Sequence, residues 1–103
     1  MTTETDLSRA IVLALRQRGV WVIRTGVTHK RGSRGTQSGE SGMPDLWTPL
    51  GWIEVKRPGE KLLASQQRWH DKARRHGVAV GVARSVGEAM ALVDLWSPVR
   101  RSA

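Results

Sequence analysis

One segment of the chain limits where a hydrophobic core can form. Residues 28–42 contain no apolar side chain and are rich in glycine, serine and the cations Lys30, Arg31 and Arg34. Such a segment cannot contribute to a core, and we expect a mobile basic loop. The rest of this 103-residue chain suffices for one domain, which buries only about two-thirds of the surface of its unfolded state. The free energy of unfolding of such a small domain is expected to be modest, and formation of a dimer would increase it.

A large excess of positive charge indicates a polyanionic partner. The chain has 17 Lys and Arg residues against 9 Asp and Glu, a formal net charge of +8, which is enough to create a positive surface potential. Most of these cations are arginines, whose planar guanidinium suits bidentate contacts with phosphate. The alternative is that the charge only keeps the protein soluble.

The composition excludes several classes of protein. There are no cysteines, so no disulfide or thiolate metal site is expected. The apolar fraction of 39% and the charged fraction of 25% are typical of a globular domain. No segment resembles a signal peptide or a transmembrane helix, and the cytoplasm is the expected compartment.

Hydrophobic periodicity and turn residues predict the order helix, strand, hairpin, helix, strand, helix. The predicted ranges are a helix at 6–18, a strand at 20–27, hairpin strands at 43–48 and 51–56, a helix at 62–76, a strand at 78–83, and a last helix opened by Ser85 and Glu88. The apolar run at 78–83 is typical of an interior strand covered on both faces. We expect a single compact α/β domain over residues 1–103, with a mixed central sheet flanked by helices.

The predicted hairpin carries the residues best suited to chemistry. Because side chains alternate along a strand, Glu54 and Lys56 share one face, and Asp45 on the other arm could converge on them. Two carboxylates can hold Mg²⁺ and leave positions open for water and phosphate, while a lysine can orient that water or stabilise developing charge. An isolated Glu-x-Lys pair on a surface hairpin is the alternative interpretation.

Three motifs in order distinguish this hairpin from an ordinary one. They are Gly42-Met43-Pro44-Asp45-Leu46, then Ile53-Glu54-Val55-Lys56, then Gln66-Gln67-Arg68-Trp69. In these motifs the chain resembles the PD-(D/E)xK nuclease superfamily, and within it the virus-type replication-repair nuclease domains called VRR-NUC. The resemblance extends from Gly42 to about Val93 and implies a restriction-endonuclease-like core.

The resemblance also implies a site and a reaction. Asp45, Glu54 and the main-chain carbonyl of Val55 would bind Mg²⁺ or Mn²⁺, and Lys56 would handle the attacking water. A further ligand often comes from the first helix, where Glu4 is favoured over Asp6; capping of the helix is the alternative role for either acid. The implied activity is cleavage of branched DNA, such as four-way (Holliday) junctions, by a homodimer, and a phage-encoded enzyme is compatible with it.

Gln66 has two interpretations. Its helical face is shared with Leu62, Trp69 and Ala73, which should pack on the sheet, and a buried amide needs hydrogen-bond partners. The metal site could supply them, so Gln66 is a candidate catalytic residue. The alternative is a boundary residue whose amide lies in solvent. Leu63 departs from the family, where a Ser or Thr often caps this helix.

The remaining polar and aromatic residues give weaker signals. His29, His70 and His76 are scattered, so no zinc site is proposed. Trp69 and Trp96 occupy core positions, whereas Trp47 or Trp52 could also reach a base or a dimer partner. The predicted contacts with the phosphate backbone, which should weaken with salt, are Lys30, Arg31, Arg34, Arg57 and Lys61.

Two alternatives to the branched-DNA nuclease stay open at this point. One is a basic DNA-binding module without catalysis, in which the acids only balance neighbouring arginines and binding needs no metal. The other is a nuclease with a different target, either a flap or nick processor or a restriction-type enzyme. Cleavage of several DNA shapes distinguishes these possibilities.

Overall fold

The computed structural model describes residues 2–25 and 40–98. The elements follow the predicted order, as α1 (Glu4–Gln17), β1 (Ile23–Arg24), β2 (Leu46–Trp47), β3 (Trp52–Val55), α2 (Ala64–Arg75), β4 (Val80–Ala83) and α3 (Val86–Trp96). The predicted α/β class and the single compact domain are confirmed. Most of the predicted loop at 28–42, with His29, Lys30, Arg31 and Arg34, lies outside the described residues.

The four strands form one mixed sheet in the order β1-β2-β3-β4. β1 pairs with β2 and β2 with β3 in antiparallel fashion, and β3 pairs with β4 in parallel. A parallel connection needs a crossover, which α2 supplies. The strands are shorter than the sequence patterns predicted, most of all β1, which has two residues within the predicted 20–27.

The sheet separates two packing layers. Ile53 and Val55 point to one face, where Ile11 and Leu15 of α1 and Val93 of α3 complete the apolar core. Trp52 and Glu54 point to the other face, where α2 lies, because Trp69 of that helix contacts Trp52. The core therefore lies under α1 and α3, and the polar residues of β3 face α2.

The prediction for the strand at 78–83 was partly wrong. Helices α2 and α3 do pack against β4, which explains its apolar sequence. Among the described residues, however, β4 lies at the edge of the sheet and not in its interior. An apolar run indicates that both faces of a strand are covered. It does not indicate whether the strand has a neighbouring strand on each side.

Helix ends follow local rules. Thr3 caps α1 by accepting a hydrogen bond from the Asp6 N–H, while Asp6 accepts one from the Thr3 N–H. Ser85 caps α3 through the Glu88 N–H, but Glu88 accepts from the Arg84 N–H and so does not close the predicted capping box. In the part of the chain that is described, no helix combines the length and the apolar character that a membrane crossing requires.

Candidate active site

The hairpin register brings the two carboxylates of the first two motifs together. Leu46 pairs with Ile53, so one step further along the same register Asp45 stands opposite Glu54. Both side chains then lie on the face that carries α2, because residues directly opposite in a sheet share a face. A Thr48-centred turn fixes this register, with backbone hydrogen bonds in both directions between Thr48 and Gly51.

Pro44 changes the hydrogen bonding at the end of this hairpin. In the register it stands opposite Val55, where the ladder would require an N–H that proline does not have. The Val55 N–H donates instead to Oδ2 of Asp45, at 2.9 Å. The Val55 carbonyl consequently has no ladder donor from Pro44, and the N–H of the same residue is bonded to the Asp45 carboxylate.

Thr25 fixes the other side of the Pro44-Asp45 pair. Its hydroxyl donates to the Pro44 carbonyl at 2.7 Å, and its N–H donates to the Asp45 carbonyl at 2.8 Å. The main chain of the first motif is thereby held between β1 and β3. Thr25 is not among the residues predicted from the sequence, since nothing in its neighbourhood marks it.

Glu54 is a carboxyl group with almost no access to solvent. Only 1% of the residue is exposed, and Oε1 lacks a hydrogen-bond partner among the described residues. Burial, followed by the charge of Asp45 and a hydrogen bond to it, raises the pKa of Glu54 to about 9. At neutral pH without a metal ion, Glu54 therefore keeps its proton.

Lys56 continues the same face of β3. Its N–H donates to the Ala83 carbonyl at 3.1 Å, which extends the pairing with β4, and the residue is 7% exposed. Its positive charge acts against the rise in the pKa of Glu54 but is a smaller influence than burial and Asp45. Lys56 thus lies on the same face of β3 as Glu54, as the alternation of the strand predicted, and its charge acts on that carboxyl group.

Gln66 connects the start of α2 to the site. Its Oε1 accepts a hydrogen bond from the Leu63 N–H at 2.8 Å, and its Nε2 donates to Oε2 of Glu54 at 3.2 Å. The first contact requires the oxygen at the helix end and so assigns the nitrogen to Glu54. The Leu63 side chain cannot accept a capping hydrogen bond. Of the two hydrogen bonds of a capping box, only the one that Gln66 accepts is therefore present.

The two acids near the start of α1 behave differently. Asp6 accepts from the Thr3 N–H in the capping box, so its carboxylate serves the helix end. The pKa of Glu4 is raised, first by partial burial and then by the charges of Glu60 and Asp45. Glu4 therefore lies close enough to the site to interact with it electrostatically.

The turn after Lys56 carries the two predicted phosphate contacts that the structure describes. Arg57 and Lys61 are exposed, and Arg57 and Glu60 close the turn through reciprocal hydrogen bonds. Arg84 donates to the carbonyls of Arg57 and Glu60 at 2.9 and 2.6 Å. The turn is thereby fixed to the start of α3, an anchor that sequence reasoning missed.

His70 is a further residue that sequence reasoning missed, and it lies near Glu54. The ring is fully buried, at 0% exposure, and its Nε2 lies 4.0 Å from Oε1 of Glu54. Its position four residues after Gln66 is a usable signal, because residues separated by four share a helical face. His76 is the exposed C-cap of the same helix.

The tryptophans form two edge-to-face pairs on the sheet. Trp69 packs on Trp52 with ring centroids 5.4 Å apart, and Trp21 packs on Trp47 at 4.9 Å. Trp96 lies against Gly51, where a Cβ would approach its ring to 2.7 Å. The predicted packing roles of Trp69 and Trp96 agree with these contacts.

The oxygen atoms at the site fit a hard divalent cation. No group of three or more His, Cys, Asp or Glu side chains within residues 2–25 and 40–98 is gathered closely enough to hold a metal ion, so Glu4 does not join Asp45 and Glu54 in a preformed triad. The carboxyl oxygens of Asp45 and Glu54 and the Val55 carbonyl nevertheless make an all-oxygen donor set. Mg²⁺ commonly uses one or two carboxylates and keeps several waters.

Comparison with known families agrees with this arrangement. The model of the VRR-NUC domain matches residues 9–87, which is more than half of the chain and includes all three motifs. The chain belongs to the VRR-NUC family. This is a family of nucleases, and no curated protein or solved structure matches the chain.

Proposed function

We propose that this VRR-NUC protein is a metal-dependent endonuclease that hydrolyses phosphodiester bonds of branched DNA, such as four-way junctions. The observation that carries the proposal is the buried Glu54 beside Asp45. A carboxyl group whose burial raises its pKa to about 9 is costly to keep in a fold, and a bound cation would offset that cost. Membership of a nuclease family supports hydrolysis of phosphodiester bonds. The preference for branched DNA is the more specific proposal.

The protein residues have separate roles in the proposed reaction. Asp45, Glu54 and the Val55 carbonyl would hold Mg²⁺ or Mn²⁺, with Glu4 as a further acid near the site. Such an ion supplies charge neutralisation at the phosphate and lowers the pKa of water. Lys56, as an ammonium, would orient the attacking water and stabilise the charge that develops on the phosphate oxygens.

The basic residues would hold the DNA without reading its sequence. Arg57 and Lys61 lie on the turn that directly follows Lys56, and Arg84 fixes that turn. Contacts between these cations and phosphate would place a phosphodiester over the acids of β3. The predicted contacts Lys30, Arg31 and Arg34 belong to the same proposal, although they lie outside the described residues.

A homodimer would place two such sites for cleavage of paired strands. The support that the single chain gives to a dimer is an exposed apolar surface. Trp21 and Ile23, at the edge strand β1, are 63% and 42% exposed, and large apolar side chains in that position suit contact with a second copy. Sedimentation equilibrium measures the assembly state directly.

The experiment that tests the function is cleavage of labelled four-way junction, flap and linear duplex DNA with Mg²⁺ or Mn²⁺. We expect metal-dependent cutting that Glu54→Ala and Lys56→Ala both abolish, with DNA binding retained. Lys72→Ala is the matched control, because Lys72 is exposed on α2 and its ion pair within the described part of the chain is with Glu40, at 3.6 Å. A wild-type chain that binds DNA without cutting it would support the non-catalytic DNA-binding module instead, and the preferred shape distinguishes junction from flap or duplex enzymes.

Two adjacent glutamines allow a matched test of Gln66. Gln66→Ala should lower the cleavage rate by roughly 10- to 100-fold, the usual effect of losing a residue that orients a metal ligand, because Glu54 loses its donor. Gln67→Ala removes only a surface contact with Asp71, at 3.0 Å, and should cut at the wild-type rate. Equal rates for the two variants in single-turnover assays would contradict a role for Gln66.

Pro44→Ala tests the free carbonyl of Val55. Alanine restores the N–H that the ladder requires opposite Val55, so a new hydrogen bond should compete with the metal ion for that carbonyl. We expect Mn²⁺ affinity, measured by calorimetry, to fall about tenfold while thermal stability without metal stays the same or rises. Unchanged affinity would mean that the Val55 carbonyl is not a ligand.

A further inference from the structure

Two side chains of α2, one turn apart, face the two oxygens of the Glu54 carboxyl group. Gln66 donates to Oε2 at 3.2 Å, and Nε2 of His70 lies 4.0 Å from Oε1. Oε1 and both ring nitrogens of His70 have no hydrogen-bond partner among the described residues. The buried side-chain nitrogen and oxygen atoms left unpaired in the described residues thus belong to two neighbouring groups, the Glu54 carboxyl and the His70 ring.

The cost of this arrangement argues against simple packing. An imidazole that is fully buried loses the hydrogen bonds that water would give both of its nitrogens. Leucine fills a similar volume without that loss, and the other buried position on the same helix, Ala73, is apolar. A histidine at position 70 is therefore expected to have a partner in some state of the protein.

His70 offers a single donor when its ring is neutral. A neutral imidazole carries one N–H and one acceptor nitrogen, and Nε2 is the nitrogen that lies 4.0 Å from Oε1 of Glu54. A neutral ring adds a hydrogen bond to a neighbouring carboxylate without adding a full charge to the site.

We propose that His70 is a positioning residue for Glu54, whose Oε1 it holds through Nε2–H when a cation is bound. The inference rests on the proposed metal-dependent function, because it assigns His70 a role only when Glu54 is a metal ligand. An ionised carboxylate in a dry site needs donors, and Gln66 serves only Oε2. A shift of about an ångström brings the two atoms to ordinary hydrogen-bond distance.

Gln66 and His70 then act as two donors on one rigid helix. Because they are spaced by four residues, they lie on the same face of α2 and orient both oxygens of Glu54 together. Partners of this kind, which bind a metal ligand and not the metal, tune both affinity and orientation. The geometry of the carboxylate would thus be set by α2, and not by β3 alone.

The test compares His70→Leu with His70→Gln. Leucine keeps the buried volume and removes the donor, whereas the glutamine amide can supply an N–H in place of Nε2. We expect His70→Leu to bind Mn²⁺ at least about tenfold more weakly by calorimetry, with unchanged or higher thermal stability in the absence of metal. His70→Gln should recover most of that affinity, which a merely structural role would not predict.

A spectroscopic measurement addresses the same hydrogen bond directly. Nitrogen-15 NMR of the Mg²⁺-loaded protein should report the neutral tautomer with the proton on Nε2. A proton on Nδ1 would overturn the inference, as would Mn²⁺ affinity of His70→Leu within twofold of the wild type. Wild-type protein that neither binds Mn²⁺ nor cuts DNA would overturn the proposed function and this inference together, whereas cutting by wild type and by His70→Leu at equal rates would overturn the inference alone.

Discussion

Replacement of Glu54 by glutamine should abolish DNA cleavage and, at the same time, make the metal-free protein more stable. Removal of one preorganised electrostatic group typically lowers catalytic rates by about 10² to 10³, and loss of a metal ligand is expected to reach at least that range. The amide is neutral and can donate to Asp45, as the protonated Glu54 does. The fold therefore loses a buried acid and keeps its hydrogen bonds.

The gain in stability should depend on pH. The folded-state pKa of Glu54 is raised from 4.5 to about 9, so between these values the folded chain holds a proton that the unfolded chain has released. The free energy of unfolding of the wild type therefore falls as pH rises from 4.5 to about 9. Below this range Glu54 is protonated in both states, and burial of the carboxyl group does not lower the stability in this way. At pH 8 the gain from Glu54→Gln should be on the order of a few kcal/mol, or at least about 5 °C in Tm.

Glu88→Gln provides the matched control for this substitution. Glu88 lies exposed in the first turn of α3, and a glutamine Oε1 can still accept from the Arg84 N–H as Glu88 does at 2.7 Å. Its Tm should stay within about 2 °C of the wild type at pH 8. Cleavage retained by Glu54→Gln, or a lower Tm than the wild type at pH 8, would contradict the assignment of Glu54 as a buried metal ligand.

Metal binding provides a second measure of the same proton. Because Glu54 keeps its proton near neutral pH, uptake of Mn²⁺ by the wild type at pH 7.5 should release close to one proton. Calorimetry in buffers with different ionisation enthalpies measures this number. Little or no proton release by the wild type would contradict the raised pKa.

The parts of the site that follow from local rules could be predicted from the sequence. Alternation along residues 51–56 puts Glu54 and Lys56 on one face, and the short connection to 43–48 makes Asp45 their neighbour. The order of elements also followed, because the helices carry a clear 3.6-residue period and end at glycines with positive φ, Gly19 and Gly77. These signals need no knowledge of distant contacts.

The parts that depend on register and packing could not be predicted. The role of Pro44 becomes visible only when Val55 is known to stand opposite it. Similarly, nothing marks Thr25 in the sequence until β1 is placed beside the site, and the spacing of His70 from Gln66 gains its meaning only when α2 is known to lie over Glu54. The edge position of β4 was missed because an apolar run reports coverage by helices and contains no information about neighbouring strands.

Gly42 lies where the chain that leads into Asp45 touches α2. Its substitution should also have a large effect. Its φ is +86°, and a Cβ at this position would lie 2.6 Å from the carbonyl carbon of Ser65. Ser65 belongs to the first turn of α2, directly before Gln66, so glycine allows the chain leading into Asp45 to touch the helix that carries Gln66. We expect Gly42→Ala to lower the free energy of unfolding by about 3 kcal/mol, from left-handed strain and overpacking together.

Gly19→Ala separates the two causes. Gly19 has a similar φ of +91°, but no atom of the described residues lies within 4 Å of the position its Cβ would take, so only the backbone strain of about 1 kcal/mol is expected. Urea unfolding measures how much more unfolding free energy Gly42→Ala loses than Gly19→Ala. That difference is the cost of pushing the first motif away from α2. At a temperature where both variants are folded, Gly42→Ala should also cut about a hundredfold more slowly, because a displacement near 1 Å in a reacting group has that effect. Equal stability and equal cutting by the two variants would mean that this contact does not align Asp45 with Glu54, and that the hairpin alone sets their geometry.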